Sequence, residues 1–508
     1  MDDIPYELWL HITSFLLQDE IWALRSLNKS LFSIAMESRF QTVAVSLNNI
    51  VSKEYRRKFL RFNDCNIAMR VHELAYYDYA VTDFPQSSKT SRRTRMLLYI
   101  KRYFRNCVTS DKSLAISVVA NFKEVRYVKI KFDYLRGRIF RESIPLFHAS
   151  LLSSIHLQSL SFSYPFELMV TVLPPALFLP HLSSFSMTLF TLPEKTEVDQ
   201  SFLDTATMTM APFLNRHRLT LTTVELNLEP LPPTWSMVLT AMSTNFNLSP
   251  LFKSLDHIPH LQTLSISISA STSPDCITRF LKIHSHTLRH LTISMTDPEI
   301  STTRGVLDQL EATLPFLETF VIQYQYDSMH LAPSTYQEVT LGFIRRHASS
   351  LTCLRILKSP HSRAQFLTLL DPLVSYPRLR YLKMGLQILT PEMLDLFTAS
   401  LPDLYELDLS IHYFKRRHTS PLEINEEYEF CYEIGHHDYH LWKLQHLTLL
   451  LENKGRRAKT SYGAAAVAEA MPFLHTFNGI TWKQFIREAR SVIDVLPQIK
   501  SDLPRTYA

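Results

Sequence analysis

The sequence predicts an α/β architecture: three short helices, then a long solenoid with parallel strands inside and helices outside. Three observations predict it. An apolar stretch fills the first forty residues, a six-residue phrase returns about a dozen times from residue 122 onward, and segments of helical spacing lie between its copies.

The first element is the stretch MDDIPYELWLHITSFLLQDEIWALRSLNKSLFSIAMESRF. Ile4, Leu8, Ile12 and Phe15 follow one another at spacings of four, four and three, one stripe of a helix. Trp9, Leu10 and Leu16 fall off that stripe, so the helix is apolar on more than one side and has to be covered on more than one side. Pro5 suits a first turn, and Glu7 sits near the positive helix end. Asp19 is the expected cap of a second helix carrying Ile21, Leu24 and Leu27. Asn28 is the expected cap of a third, with Leu31, Phe32, Ala35 and Met36 at helical spacing. Three helices in so few residues enclose only a small core. If five or six large apolar side chains stay outside it, their later burial is worth roughly 10 kcal/mol gross at ~1.5–3 each, before the costs of association. Either the rest of the chain covers them, as an N-terminal cap on the solenoid, or another protein does.

The phrase is an apolar residue, two variable ones, an apolar residue, one variable and an apolar residue. It reads VRYVKI from Val125, LQSLSF from Leu157, LSSFSM from Leu182, LTTVEL from Leu221, LQTLSI from Leu261 and LRHLTI from Leu288. LETFVI, LTCLRI, LRYLKM, LYELDL and LQHLTL follow from Leu317, Leu351, Leu379, Leu404 and Leu444, with a weaker LHTFNG from Leu474. Its alternating end is strand logic. Helical stretches separate the copies: DCITRFLKIHSHT, RGVLDQLEATLP, TYQEVTLGFIRRHASS, PEMLDLFTAS and GAAAVAEAMP, with Asp275, Thr302 and Thr390 as expected N-caps. One strand–helix unit cannot bury its own apolar face, so neighbours must stack. A doubly wound sheet of ordinary βα units has the same periodicity and is the alternative.

These phrases resemble the leucine-rich repeat family over some three-quarters of the chain. The asparagine usual a few residues after each phrase is mostly missing, as in LSISISAS and LTISMTDP. The segment IPYELWLHITSFL followed by QDEIWALRSLNKSLFSIA resembles an F-box: Ile-Pro, Glu-Leu two residues on, an Ile, a Phe-Leu, an acidic turn, Leu-Arg and Asn-Lys. The family often closes with Leu-Trp, where SRF stands here. The resemblance implies docking on the Skp-type adaptor of a cullin ubiquitin ligase, through Ile4, Pro5, Leu8, Ile12, Phe15, Leu16, Ile21, Leu24 and Leu27. The implied domains are 1–40 F-box, 41–121 helical linker and N-terminal cap, 122–480 leucine-rich repeats, and 481–508 C-terminal capping helix and tail.

Composition narrows the function. Eight glycines in 508 residues, no two closer than eight positions, exclude GxGxxG, P-loop and GxSxG signatures. The net charge of +5 is small and its basic residues are interspersed with acids, which disfavours nucleic acid. YRRKFLRF near Tyr55 and SRRTRMLLYIKRYFRN from Ser91 read as linking helices, with Leu97, Leu98 and Phe104 capping the first repeat. Cys65, Cys107, Cys276, Cys353 and Cys431 are odd in number and widely spaced, the pattern of a reducing compartment. MDDIP is acidic where a secretory signal is basic, and no apolar run is long enough for a membrane span. Cytoplasm or nucleus is the expectation, with no membrane partner. Cys431, His436, His437 and His440 fall within ten residues, but their spacing matches no common zinc signature. No metal, cofactor or catalytic residue is expected.

In a leucine-rich repeat the variable strand positions line the concave face. Here they begin basic with Tyr127, Lys129 and Lys131. They turn hydroxyl-rich at Thr263, Ser265, His290 and Thr292, then basic at Arg355, Tyr381 and Lys383, and acidic at Glu406 and Asp408. Tyr127, Lys129, Arg355, Tyr381, Lys383, Glu406 and Asp408 are the candidate contacts to a protein substrate. The reading is a non-catalytic substrate receptor of an SCF-type ubiquitin ligase. The alternative is a repeat scaffold that recruits no ligase.

Overall fold

Each of the twelve phrases becomes a strand that starts two residues after its first apolar residue, because the following alternation sends every second side chain inward. The computed structural model describes residues 4–46, 57, 60–77, 115–131, 137–165, 169–173, 177–190, 200–228, 247–269, 272–295, 314–324, 342–347, 350–373, 378–415, 426–437, 439–451 and 462–493. The chain forms two units, Met1–Met242 with Lys253–Leu261, and Ser243–Phe252 with Gln262–Ala508.

The first unit opens with helices α1 (Tyr6–Thr13), α2 (Gln18–Ala23) and α3 (Lys29–Phe40). Asn28 caps α3 by accepting the Leu31 N–H at 2.7 Å, as expected. Asp19 does not cap α2. Leu17 holds that position, and Glu20 reaches back to accept the Leu17 N–H at 2.7 Å, with Asp19 inside the first turn. Strands β1 (Thr42–Ser46), β2 (Glu73–Tyr77), β3 (Tyr127–Lys131), β4 (Ser159–Pro165), β5 (Ser184–Phe190) and β6 (Thr223–Leu228) follow, each parallel to the next. The helical linker expected over 41–121 is therefore corrected: it contributes β1 and β2 to the sheet. Both repeat the phrase, Phe40-x-x-Val43-x-Val45 and Val71-x-x-Leu74-x-Tyr76, with aromatic or β-branched side chains at every position but Leu74. Arg57 and 60–62 are the described part of YRRKFLRF. The basic segment from Ser91, with Leu97, Leu98 and Phe104, lies outside the described residues.

The second unit carries β7 (Thr263–Ile268), β8 (His290–Met295), β9 (Thr319–Tyr324), β10 (Cys353–His361), β11 (Tyr381–Leu389), β12 (Glu406–Phe414), β13 (His446–Leu451) and β14 (Thr476–Phe477), again parallel in chain order. Strand β15 (Ile480–Thr481) then turns back antiparallel. Asn478 and Gly479 both take positive φ, 52° and 78°, as a two-residue hairpin requires. The Asn478 side chain also accepts the Leu449 N–H at 2.7 Å. Helix Trp482–Ile493 buries Phe485 and Ala489, with the Phe485 ring against Phe477. Thr390 caps helix Pro391–Ser400 by accepting the Met393 N–H. Helix Pro274–Ile283 starts after Ser273, so Asp275 lies in its first turn instead of capping it. Thr302 and RGVLDQLEATLP lie outside the described residues.

Between sheet and helices the core is leucine and phenylalanine, with Phe185 against Phe213 in the first unit and Phe320 against Phe343 in the second. Where the asparagine ladder is missing, buried histidines tie successive repeats. His217 donates from Nδ1 to the Phe213 carbonyl at 2.8 Å and accepts the Leu179 N–H on Nε2 at 2.9 Å. His347 does the same with Phe343 at 2.8 Å and Leu314 at 3.0 Å. Each ring therefore holds one neutral tautomer and satisfies the buried N–H of the leucine in a Leu-Pro pair of the preceding repeat.

Candidate docking surfaces

Two surfaces answer to the residues singled out in the sequence, and both follow from what the core leaves over. In α1 and the turn after it, Trp9, Thr13 and Leu16 turn inward, and Trp9, Leu16 and Trp22 pack against a small core of Ile21, Ile34 and Ala35. Thr13 is buried at no cost in unmade bonds, because its hydroxyl donates to the Trp9 carbonyl at 2.8 Å. With that face committed, the stripe Ile4, Leu8, Ile12 and Phe15 points outward. Leu8, Ile12 and Phe15 are 53%, 44% and 76% exposed, and Leu17 and Leu27 on the flanking turns are 73% and 56% exposed. Ile4 and Pro5 are exposed as well. Leu16 and Leu24 are half-buried, while Ile21 is buried within the helical core.

The helices are held to the sheet from the opposite side. Arg70, just ahead of β2, reaches the Ser33 carbonyl of α3 at 3.0 Å, while Gln18 of α2 donates to the Ser38 carbonyl at 2.8 Å within the bundle and Leu31 of α3 is buried. The Trp22 indole is clamped by Arg39 and Arg25, whose guanidinium carbons lie 4.1 and 4.5 Å from the ring centre. The bundle is thus anchored through α3, and the outer stripe of α1 stays open.

The second surface is the open face of each sheet. In the first unit the register places Tyr127, Ser159, Ser184 and Thr223 in one row, and Lys129, Ser161, Ser186 and Glu225 in the next. Tyr127, Lys129 and Lys131 are all exposed. In the second unit one row runs Cys353, Tyr381, Glu406, His446, Thr476, and its neighbour runs Arg355, Lys383, Asp408, Thr448. These form a connected group. Arg355 stacks over the Tyr381 ring at 4.6 Å, the Tyr381 hydroxyl donates to Asp408 Oδ2 at 2.8 Å, and Lys383 Nζ reaches the same oxygen at 3.2 Å. Burial, with the Asp408 carboxylate beside it, pushes the Tyr381 phenol above the usual tyrosine range. Burial likewise raises the Cys353 thiol, against the lowering influence of Arg355, so it stays protonated near neutrality.

One group was not foreseen. His446 accepts or donates between Thr476 Oγ1 at 2.7 Å and the Tyr405 hydroxyl at 3.1 Å, with Tyr405 exposed at the rim. Its members come from three phrases, and only the strand register brings them together. The Cys431–His440 cluster does not assemble. Cys431 is buried in helix Glu426–Ile434, and His437 turns to Asp395 at 2.9 Å. Among the described residues no group of three metal-ligating side chains forms, and none of the four described cysteines is in a disulfide. No described helix is long and apolar enough to cross a membrane.

No protein-family model matches the chain, and no curated protein matches it. Among solved structures it is similar to the complex of Rad7 and Elc1 from yeast, at 11% identity, a TM-score of 0.32, and coverage of 65% of this chain and 96% of that one. It is similar also to the leucine-rich repeat-containing protein LegL7 from Legionella pneumophila, at 12% identity, a TM-score of 0.32, and coverage of 92% of this chain and 100% of that one.

Proposed function

We propose that the chain is the substrate-recognition subunit of an SCF-type cullin ubiquitin ligase, its α1–α3 helices docking on a Skp-type adaptor and its repeats receiving a protein substrate. The observation that carries this reading is the outward stripe of α1. A helix whose inner face is already packed gains nothing from keeping Leu8, Ile12 and Phe15 in water unless another subunit covers them. Burying the five most exposed apolar side chains of α1–α3 and their turns contributes ~1.5–3 kcal/mol each before association costs. The F-box resemblance of residues 4–40 supplies the identity of the covering subunit.

The mechanism is proximity. One end holds the adaptor and through it the cullin-RING complex, the repeats hold the substrate, and no residue of this chain makes or breaks a bond. The working compartment is cytoplasm or nucleus.

Capture of a purified Skp-type adaptor by the full chain tests it. Wild type binds, and Leu8→Asp with Ile12→Asp loses binding while far-ultraviolet circular dichroism stays unchanged. Wild type that fails to bind, or a double variant that binds equally well, leaves a repeat scaffold without ligase recruitment.

A further inference from the structure

We infer that the open face of the second unit selects an extended protein segment that carries an acid and a base four residues apart. The face's own charges are separated, with cations on β10 and β11 and carboxylates on β12. This rests on the reading that the repeats receive a protein, and it names that protein's charge pattern.

The separation comes from the strand register. Two adjacent rows hold four charges: Glu406 stands in the row of Cys353, Tyr381 and His446, while Arg355, Lys383 and Asp408 follow one another in the next. Their sum is zero, and the middle of the group is satisfied internally. Lys383 Nζ and the Tyr381 hydroxyl both reach Asp408 Oδ2. One open charge remains on either side, and the two are of opposite sign. Arg355 is exposed, and its register partner on β9 is Val321, so it meets no carboxylate there. Stacking on Tyr381 holds its guanidinium before a ligand arrives, so less rotamer freedom is lost on binding a carboxylate. Glu406 is half-buried, and its register partners are Tyr381 and His446. The His446 ring is held between Thr476 and Tyr405, and no hydrogen bond or ion pair among the described residues engages the Glu406 carboxylate.

Arg355 and Glu406 lie two strands and one row apart. Two strand spacings of ~4.8 Å and a two-residue offset of ~6.6 Å put their backbones about 12 Å from each other. In an extended chain, residues i and i+4 face the same side at about 13 Å, which matches that separation. An acid at one of these positions meets Arg355, and a base at the other meets Glu406. A uniformly acidic segment gains Arg355 but runs into Glu406 and Asp408, and a uniformly basic one runs into Arg355 and Lys383. Nucleic acid fails as the acidic segment does. Arginine and tyrosine, the pair at the centre, are the side chains that most often anchor protein interfaces.

The test uses the full chain without adaptor, so failure of adaptor docking, read separately by adaptor capture, cannot move it. Fluorescence anisotropy follows a rhodamine-labelled ten-residue peptide, Glu-Ser-Gly-Ser-Lys repeated twice, at low ionic strength, where exposed charges are least screened. Three control peptides carry Glu, Lys or Ser at all the charged positions, and a fourth probe is oligothymidine. Wild type is expected to bind the mixed peptide at least fivefold more tightly than any control. Arg355→Glu should shift the preference to the lysine peptide, and Glu406→Lys should shift it to the glutamate peptide. Arg355→Glu with Glu406→Arg should restore the mixed preference, because the segment then binds in the opposite direction. Lys483→Glu, the same charge change as Arg355→Glu on an exposed helical position, should leave the order of probes unchanged. The inference is overturned if the mixed peptide does not bind or if a control binds wild type as tightly. It is overturned equally if the face variants weaken every probe without changing their order, or if Lys483→Glu changes it.

Discussion

The backbone N–H of Leu314 donates to Nε2 of His347 across 3.0 Å, although 33 residues separate them. The same bond joins Leu179 to His217. A side chain thus closes a backbone donor one repeat away, and the bond exists only while the imidazole is neutral on Nε2.

Replacing His347 with Ala removes that acceptor and leaves a buried N–H unpaired. We expect a loss of ~1–3 kcal/mol, read as a lower midpoint in urea unfolding. His347→Gln, which retains an acceptor, should recover part of it.

The His217 ring adds a pH dependence. Burial holds its pKa below the ordinary histidine value, against the opposing hydrogen bond to the Phe213 carbonyl. Its folded value lies below its unfolded one, so its contribution is complete above about pH 6.5 and is lost as pH falls through the folded value. Thermal melts between pH 7.5 and pH 5 should show wild type losing stability on acidification. His217→Gln should start lower and fall less.

Ile21 and Phe15 should separate core from contact. Ile21→Ala empties part of the small helical core and is expected to cost ~2–4 kcal/mol of local stability, seen as faster amide exchange in α2 and α3. Phe15→Ala removes a side chain that is 76% exposed and should change stability by less than ~0.5 kcal/mol while weakening adaptor capture.

Gly463 is set where no larger residue fits. A Cβ there would stand 2.6 Å from two atoms of the Phe414 ring, itself buried against Phe430. Gly463→Ala should destabilise the second unit by ~1–3 kcal/mol, and Phe414→Leu in the same chain should return part of it in a calorimetric melt.

The strands of residues 122–480 were legible because the same apolar spacing returns, and leucine opens every phrase but VRYVKI. Strands β1 and β2 were not, because Phe40, Val45 and Tyr76 fill those positions without leucine. The outward stripe of α1 could be written down from spacing alone, yet which of its two apolar faces is inner depends on α3, a tertiary fact. Ile21, grouped in the sequence with the adaptor contacts, lies inside for the same reason. The histidine ties left a trace, Phe-x-x-x-His-x-x-Thr/Ser-Leu, at 213–221 and 343–351, a spacing that recurs at 280–288, where His284 bonds the Phe280 carbonyl. Its meaning is a bond to another repeat, which spacing does not reveal. Asn478-Gly479 was a hairpin signal in plain view.

Stacked parallel strands have no built-in stopping point, and a bare final strand would offer its backbone to any further chain. The reversal at Gly479 removes that invitation: the last strand among the described residues is two residues long and runs against its neighbour. A second molecule arriving there finds too short and wrongly directed a template to continue the ladder, so fibre growth is discouraged at that end by two residues of turn.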